Sequence, residues 1–354
     1  MSKGLKWGLL ILVGLIIIGG GAYLYWRSRA AQPPSQQILP SASSTPTPAS
    51  SESNQPGTKN KASSYPKGIY LMISGGTSTD NATNILSKPF VDGALIGAQW
   101  NSVEPSEGKY DWSSIDKYLS IVKSKGKKAS LVLFPGKFTP DWVFAKGVQK
   151  WNWTDHNGQN VTYPNPTDPK FYEIWKETVK AFGQKYGSDD SIDQVSICGG
   201  TGALCGLRFY VLPPNWNATT VVSQWKGMVD TYVSAFPKPD LTFEIQTTVG
   251  EGTTLSEQMM EYNFSKYGNK IGPFEEFLSA NAPTGELVSI MQKWGPKSNK
   301  SWCGFQESKA QGADLDKAYS HGLNDIGCQY FEVYKNDLTD YDSINQKWHD
   351  LIWK

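Results

Sequence analysis

Charge of either sign in excess is missing from this 354-residue chain, which sets 34 Lys and Arg against 33 Asp and Glu for a formal net charge of +1. No basic stripe argues for nucleic acid as a partner, and no acidic tail argues for a solvating segment. Histidine is scarce: His156, His321 and His349 are the three, and they lie far apart. The four cysteines include no Cys-x-x-Cys pair, so a structural zinc site is excluded and no metal is expected. Gly75-Gly76 and Gly199-Gly200 lack the spacing of a dinucleotide or P-loop fingerprint, which leaves no cofactor to expect. No period of about 20 to 50 residues beyond an alternation of strands and helices is visible, so a solenoid or propeller is disfavoured.

Aromatic residues are abundant, with 14 Trp and 17 Tyr. Large rings fill cores, and they also stack on sugar faces, where a flat apolar surface with a polar edge is needed. The first 30 residues read as a membrane anchor. Residues 7–26 carry no charge and are long enough to cross about 30 Å of hydrocarbon; Lys3 and Lys6 precede them and Arg27 and Arg29 follow. A cleaved signal peptide is the alternative, but its apolar region is ordinarily shorter, about 7 to 15 residues. Residues 31–65 are Ser, Thr, Pro, Gln and Asn with hardly an aliphatic side chain, a disordered linker. Anchor and linker together predict a single-pass protein of the cell membrane, touching the lipid bilayer through its N-terminal helix and holding an extracytoplasmic domain, residues 66–354, off the surface. Sequons at Asn81, Asn152, Asn160, Asn217, Asn263 and Asn299 are compatible with that side and weak in themselves.

Within 66–354, apolar runs alternate with helical patterns. Strands are expected at 68–74, 94–100, 129–134, 192–198, 241–249, 271–280, 302–307 and 329–334. Ser113 or Ser114 caps the helix after the second strand and Gly126 ends it. The loop from Pro135 to Pro169 is long enough to be functional or mobile. Eight βα units in order predict a single (β/α)8 TIM barrel, an α/β fold, as a monomer. Cys303 and Cys328 each open a predicted strand, and Cys198 and Cys205 bracket a short loop. Bridges Cys198–Cys205 and Cys303–Cys328 are therefore sensible, although four cysteines allow three pairings and four buried thiols are the alternative.

One stretch carries a resemblance. Gly93 to Val143, GALIGAQWNSVEPSEGKYDWSSIDKYLSIVKSKGKKASLVLFPGKFTPDWV, places Trp100, Glu104-Pro105, Gly108 and Tyr110-Asp111-Trp112 after the second strand and Gly-Lys before the third. It resembles the sugar-cleaving TIM barrels of the glycoside hydrolase superfamily, the clan-A and β-galactosidase-like domains. The resemblance implies hydrolysis of O-glycosidic bonds at the C-terminal ends of the strands, with an acid/base glutamate after strand four and a nucleophilic glutamate ending strand seven. Glu307 ends strand seven. Between Gly199 and Leu212, after strand four, no Asp or Glu occurs.

Alternation along the strands puts Glu244, Gln246, Gln306, Glu332 and Gln99 on one side. By that count Gln306 points into the barrel, and Glu307, the nucleophile that the resemblance implies, does so only if the strand breaks there; the catalytic candidates are Glu307, paired with Glu251 or Glu332, and the inward Glu244, since a glutamate buried among rings has the raised pKa an acid needs. The bland reading of Glu244 and Glu332 is that they are interior polars knitting the barrel. Trp142, Trp151, Trp153 and Asp155 in the long loop are candidate sugar platforms. Trp100, Asn101, Gln246, Gln306 and Tyr334 at strand ends, and Asp337 just beyond strand eight, are candidate ligands of hydroxyls. Glu104 reads as part of the turn. The expected partner is an oligo- or polysaccharide; the competing expectation is a barrel that binds glycan without cleaving it, or a surface scaffold.

Overall fold

The computed structural model describes residues 65–73, 77–155, 158–199, 205–307 and 313–354, within a compact unit from Lys61 to Lys354. The predicted membrane span at 7–26 and the linker up to residue 64 lie outside the described residues, as does His156. Among the described residues no helix is long and apolar enough to cross a membrane.

Eight parallel strands close a barrel: β1 (Gly68–Ile73), β2 (Gly93–Gln99), β3 (Lys128–Phe134), β6 (Ile192–Ser196), β7 (Asp240–Glu244), β8 (Ile271–Leu278), β9 (Gly304–Glu307) and β10 (Tyr330–Val333), which pairs back with β1. The long loop after β3 hides two strands that the pattern did not announce. β4 (Lys150–Thr154) and β5 (Asn160–Pro164) form an antiparallel hairpin beside the barrel, with Trp151 opposite Tyr163 and Trp153 opposite Val161. Its alternation of Trp and Asn was present in the sequence but too short to read against an irregular background.

The outer layer is built from α1 (Thr79–Leu86), α2 (Trp100–Val103), α3 (Ser113–Ser124), α4 (Asp141–Ala145), α5 (Pro169–Tyr186), α6 (Ala218–Ala235), α7 (Thr254–Tyr267), α8 (Gly285–Trp294), α9 (Ala313–Ser320), α10 (Lys335–Asp340) and α11 (Asp342–Ile352). After α9 the chain continues as a π-helix, His321–Ile326. The expected serine cap of α3 gives way to a different solution: the carboxylate of Asp111 accepts from Ser113 N at 2.9 Å. Gly126 does end that helix, in the left-handed region at φ +63°. Asn217 caps α6, accepting from Thr220 N at 2.9 Å, and Asp168 caps α5, accepting from Lys170 N at 3.0 Å.

The aromatic surplus goes mainly to the core. Trp100, Trp175 and Trp225 are wholly buried, and Trp151, Trp294, Trp302 and Trp348 nearly so. Both disulfides form as read, Cys198–Cys205 beyond the C-terminal end of β6 and Cys303–Cys328 at the N-terminal ends of β9 and β10. Of the six sequons, Asn263 is wholly buried in α7, which closes that position to a glycan.

Candidate active site

A TIM barrel offers its chemistry where the strands end, because the βα loops converge there. In this chain the axis at that level holds three glutamates. Glu244 ends β7, Glu276 lies on β8 and Glu332 on β10; each is under a tenth exposed, and together with Gln306 they line a cavity of about 20 Å³ walled by Phe134 and Phe274. A water molecule fits such a space and a sugar ring does not. A glycan bound here therefore lies over the cavity, not in it.

Arg208, in the segment between β6 and α6, holds two of the three carboxyls. Its guanidinium is 3.7 Å from Glu244 Oε1 and 3.5 Å from Glu276 Oε2, and it donates through Nε to Gln246 Oε1 at 2.6 Å. Glu244 and Glu276 are hydrogen-bonded to each other. Glu244 is the better supplied: its Oε2 accepts from Cys205 N at 2.9 Å and Gly206 N at 3.0 Å, and its Oε1 accepts from Gln246 Nε2 at 2.6 Å. Burial raises the pKa of both carboxyls. For Glu244 the Arg208 charge and these donors oppose the rise, whereas Glu276 is pushed up further by the negative charge of Glu244. Of the two, Glu276 is displaced further toward its protonated form, because it faces the Glu244 charge, whereas Glu244 is held by Arg208, two backbone amides and Gln246.

Glu332 sits against Tyr330, whose hydroxyl bridges Glu332 Oε1 and Ser130 Oγ, each at 2.7 Å. Burial, reinforced by the charge of Glu244, pushes its pKa up to about 8 against the Tyr330 hydrogen bond. The neighbouring Glu275 is also buried, but on the other side of β8; its Oε2 accepts from Phe277 N at 2.7 Å, and burial lifts it to about 7.

The remaining expectations are distributed as follows. Alternation places Glu244, Gln306 and Glu332 on the axis. Glu307 is not there: it is 1% exposed, does not line the cavity, and is hydrogen-bonded to Asp337 of α10 beside Tyr319 of α9. The strand keeps its alternation to its last residue, so Gln306 faces in and Glu307 faces the helices. Asp337 is correspondingly buried away from any sugar. Glu251, half-buried in the turn after β7, accepts from Trp216 Nε1 at 3.3 Å and lies outside the cavity wall. Gln246 is buried behind the cavity as the link between Arg208 and Glu244. Tyr334 is half-buried and its hydroxyl takes a hydrogen bond from Gln306 Nε2 at 3.5 Å.

Trp100, expected to meet a sugar hydroxyl, and Trp142, expected as a platform, both belong to the frame. Trp100 packs on Trp175 at 4.7 Å and donates through Nε1 to Glu104 Oε2 at 2.8 Å, and Trp142 Nε1 donates to the Glu104 carbonyl at 3.0 Å. Asn101 is exposed beside them. Glu104 is 2% exposed and accepts also from Gly108 N and Thr178 Oγ1, so the Glu-Pro turn is a brace between β2, its loop and α5. Asp155 closes the tip of the hairpin, accepting from Gln159 N at 3.0 Å.

An aromatic rim does exist, assembled from several loops. Trp151 and Trp153 stack at 5.4 Å; Trp151 meets Phe209, Trp153 meets Tyr210, and Phe209 meets Trp216 edge-on at 4.8 Å. From there Tyr210, Val211, Val249 and Phe277 are 43–51% exposed, and Phe277 lies over the Arg208 guanidinium at 4.4 Å. The rim therefore ends directly above the paired carboxyls. Glu276 was missed: it has an identical neighbour in the least regular strand, where Phe274 and Glu276 face the cavity but the register shifts between Glu275 and Leu278, so that alternation does not continue past Glu276.

The class these features define is a (β/α)8 TIM barrel with buried carboxyls at the C-terminal ends of its strands. More particularly, the model of the β-galactosidase family, glycosyl hydrolase 42, matches residues 89–198. In fold the chain is similar to the catalytic domain of β-amylase from Paenibacillus polymyxa, with a TM-score of 0.59 and 11% identity over 80% of this chain and 98% of that one. With 437 solved chains similar in structure, the likeness speaks for architecture alone. No curated protein sequence matches the chain.

Proposed function

We propose that the protein is a membrane-anchored glycosidase that hydrolyses O-glycosidic bonds of a surface or environmental glycan, with Glu276 as the proton donor and Glu244 as its carboxylate partner. The observation that carries the reading is the buried pair of carboxyls, Glu244 and Glu276, both beside Arg208, whose guanidinium is covered by Phe277. Glycoside hydrolysis ordinarily uses two carboxyl groups, one protonated to release the leaving oxygen and one charged to attack or to activate water. The environments of Glu276 and Glu244 separate those two states. Their direct contact is closer than the roughly 5 Å or more that hydrolytic pairs keep. Because a glycan lies over the cavity, donation requires Glu276 to turn out of its contact with Glu244 toward the glycosidic oxygen above it, while Glu244 keeps its hydrogen bonds to Cys205 N, Gly206 N and Gln246.

The missing acid after strand four is thus supplied from strand six. The rim of Trp153, Tyr210 and Phe277 suits a chain of several sugars, since each ring face covers one apolar sugar face. Two disulfides fit an oxidising compartment, and the charge-free residues 7–26 with the Pro-rich linker fit attachment of an extracytoplasmic barrel to the cell membrane. A panel of oligo- and polysaccharides, scored for bound and for released sugar, tests the proposal. Release of reducing sugar by the wild type and not by Glu276→Gln supports it. Binding with no release returns the chain to the reading of a carbohydrate-binding barrel.

A further inference from the structure

The loop after β6 contributes no carboxyl, yet it supplies most of what holds the Glu244 side chain. Cys198 follows β6 and is tied to the helix layer, its carbonyl accepting from Trp175 Nε1 at 2.7 Å. Seven residues later Cys205 is bonded to it, and at that point the backbone turns two consecutive amides, Cys205 N and Gly206 N, onto Glu244 Oε2. Two residues further Arg208 completes the set. The approach is close: a Cβ on Gly206 would meet Gln246 Cγ at 2.7 Å and the Glu244 carbonyl at 2.8 Å. On the far side of the two amides the chain is held by Thr248 Oγ1, which donates to the Leu207 carbonyl at 2.6 Å, and by Val249 N, which donates to the Phe209 carbonyl at 3.0 Å; on the near side the bridge to Cys198 is the covalent anchor.

We propose that the Cys198–Cys205 disulfide is a positioning element of the carboxyl site, fixing the two backbone amides, Cys205 N and Gly206 N, that donate to Glu244 Oε2. The proposal rests on the pair identified above but not on hydrolysis as such. Amides donated to a carboxylate favour its ionised form. With the bridge removed, Glu244 retains Gln246, but its ionised form loses the support of the two amides. The second bridge, Cys303–Cys328, lies at the opposite end of the strands and serves as the internal control.

The test follows the ionisation of Glu244 in the full-length chain by carbon NMR of glutamate labelled at the side-chain carboxyl, with Glu244→Gln and Glu276→Gln to assign the two signals. In the paired variant Cys198→Ser/Cys205→Ser the Glu244 midpoint is expected to rise by about one pH unit or more. In Cys303→Ser/Cys328→Ser it is expected to stay where the wild type has it. Gly206→Ala, which displaces the same amides with the bridge intact, is expected to raise it too and supplies the measurement if the paired variant fails to fold. An unmoved Glu244 midpoint in a folded Cys198→Ser/Cys205→Ser protein, or in Gly206→Ala if that is the variant read, overturns the proposal. So does an equal rise in the control. Because the readout needs no substrate, a wild type that cleaves no glycan sinks the hydrolase reading and leaves this one standing or falling on its own.

Discussion

Arg208 lies 3.7 Å from Glu244 and 3.5 Å from Glu276, a single buried cation serving two buried carboxyls. Removing it leaves a carboxylate buried without its counter-charge, a change that costs about 3–5 kcal/mol in comparable cases. Arg208→Met is therefore expected to lose about that much stability at pH 7.5 and less at pH 5, where Glu244 takes up a proton in the variant. Urea unfolding at the two pH values measures the difference; an equal loss at both would mean that the guanidinium acts by packing on Phe277 and not by charge.

Glu276 and Glu307 are separated by one experiment. Loss of a positioned general acid typically lowers turnover by about 10² to 10⁴-fold. Glu276→Gln is expected to show that loss with the substrate that the glycan panel identifies, and Glu307→Gln, whose change lies on the helix side of β9 beside Asp337, is expected to keep turnover of the wild-type order. The reverse pattern would restore Glu307 as the reacting carboxyl and require β9 to turn its last residue toward the axis.

Glu332 gives a pH signature without substrate. Its pKa is pushed up to about 8 in the folded barrel, against about 4.3 in an unfolded chain. Between those values the folded state holds a proton that the unfolded state has released, so stability contributed by this group is complete below about pH 4 and is lost as pH rises through 8, with a slope of about 1.4 kcal/mol per pH unit. Glu332→Gln cannot titrate. Its stability is expected to fall less steeply from pH 5 to 8 than that of the wild type, measured by denaturant midpoints across that range, and parallel profiles would refute the assignment.

Trp153 and Tyr210 form the outer part of the rim, with ring centroids 6.4 Å apart. Aromatic contacts of this kind contribute about 0.5–1.5 kcal/mol each. The double variant Trp153→Ala/Tyr210→Ala is expected to raise KM for a long glycan by roughly tenfold while leaving kcat, and the KM of a short aryl glycoside, close to wild type. A change in kcat alone would place these rings in the frame and not on the substrate path.

The barrel was legible because its strands are apolar runs and its helices carry apolar faces; even the irregular β8 was where the pattern put it. The hairpin was not, since five-residue strands in a loop rich in Trp and Asn carry too little periodicity. Within the site, alternation located Glu244, Gln306 and Glu332 on the axis. Alternation also turned Gln306 inward, and Glu307 was chosen against it, on the resemblance to hydrolases. The expectation failed at Trp100, whose place at a strand end concealed a side chain folded back onto Trp175. Arg208 left no signal, because what makes it matter is Gln246 and Glu276, distant in sequence and adjacent only once the barrel closes.

Glu104 holds Trp100, Gly108 and Thr178 together from the wall of the barrel, and it lies within the segment 89–198 that matches the β-galactosidase family. The three cavity glutamates all fall outside that segment, between Glu244 and Glu332. The barrel is therefore divided along its sequence into a half that keeps shape and a half that carries charge.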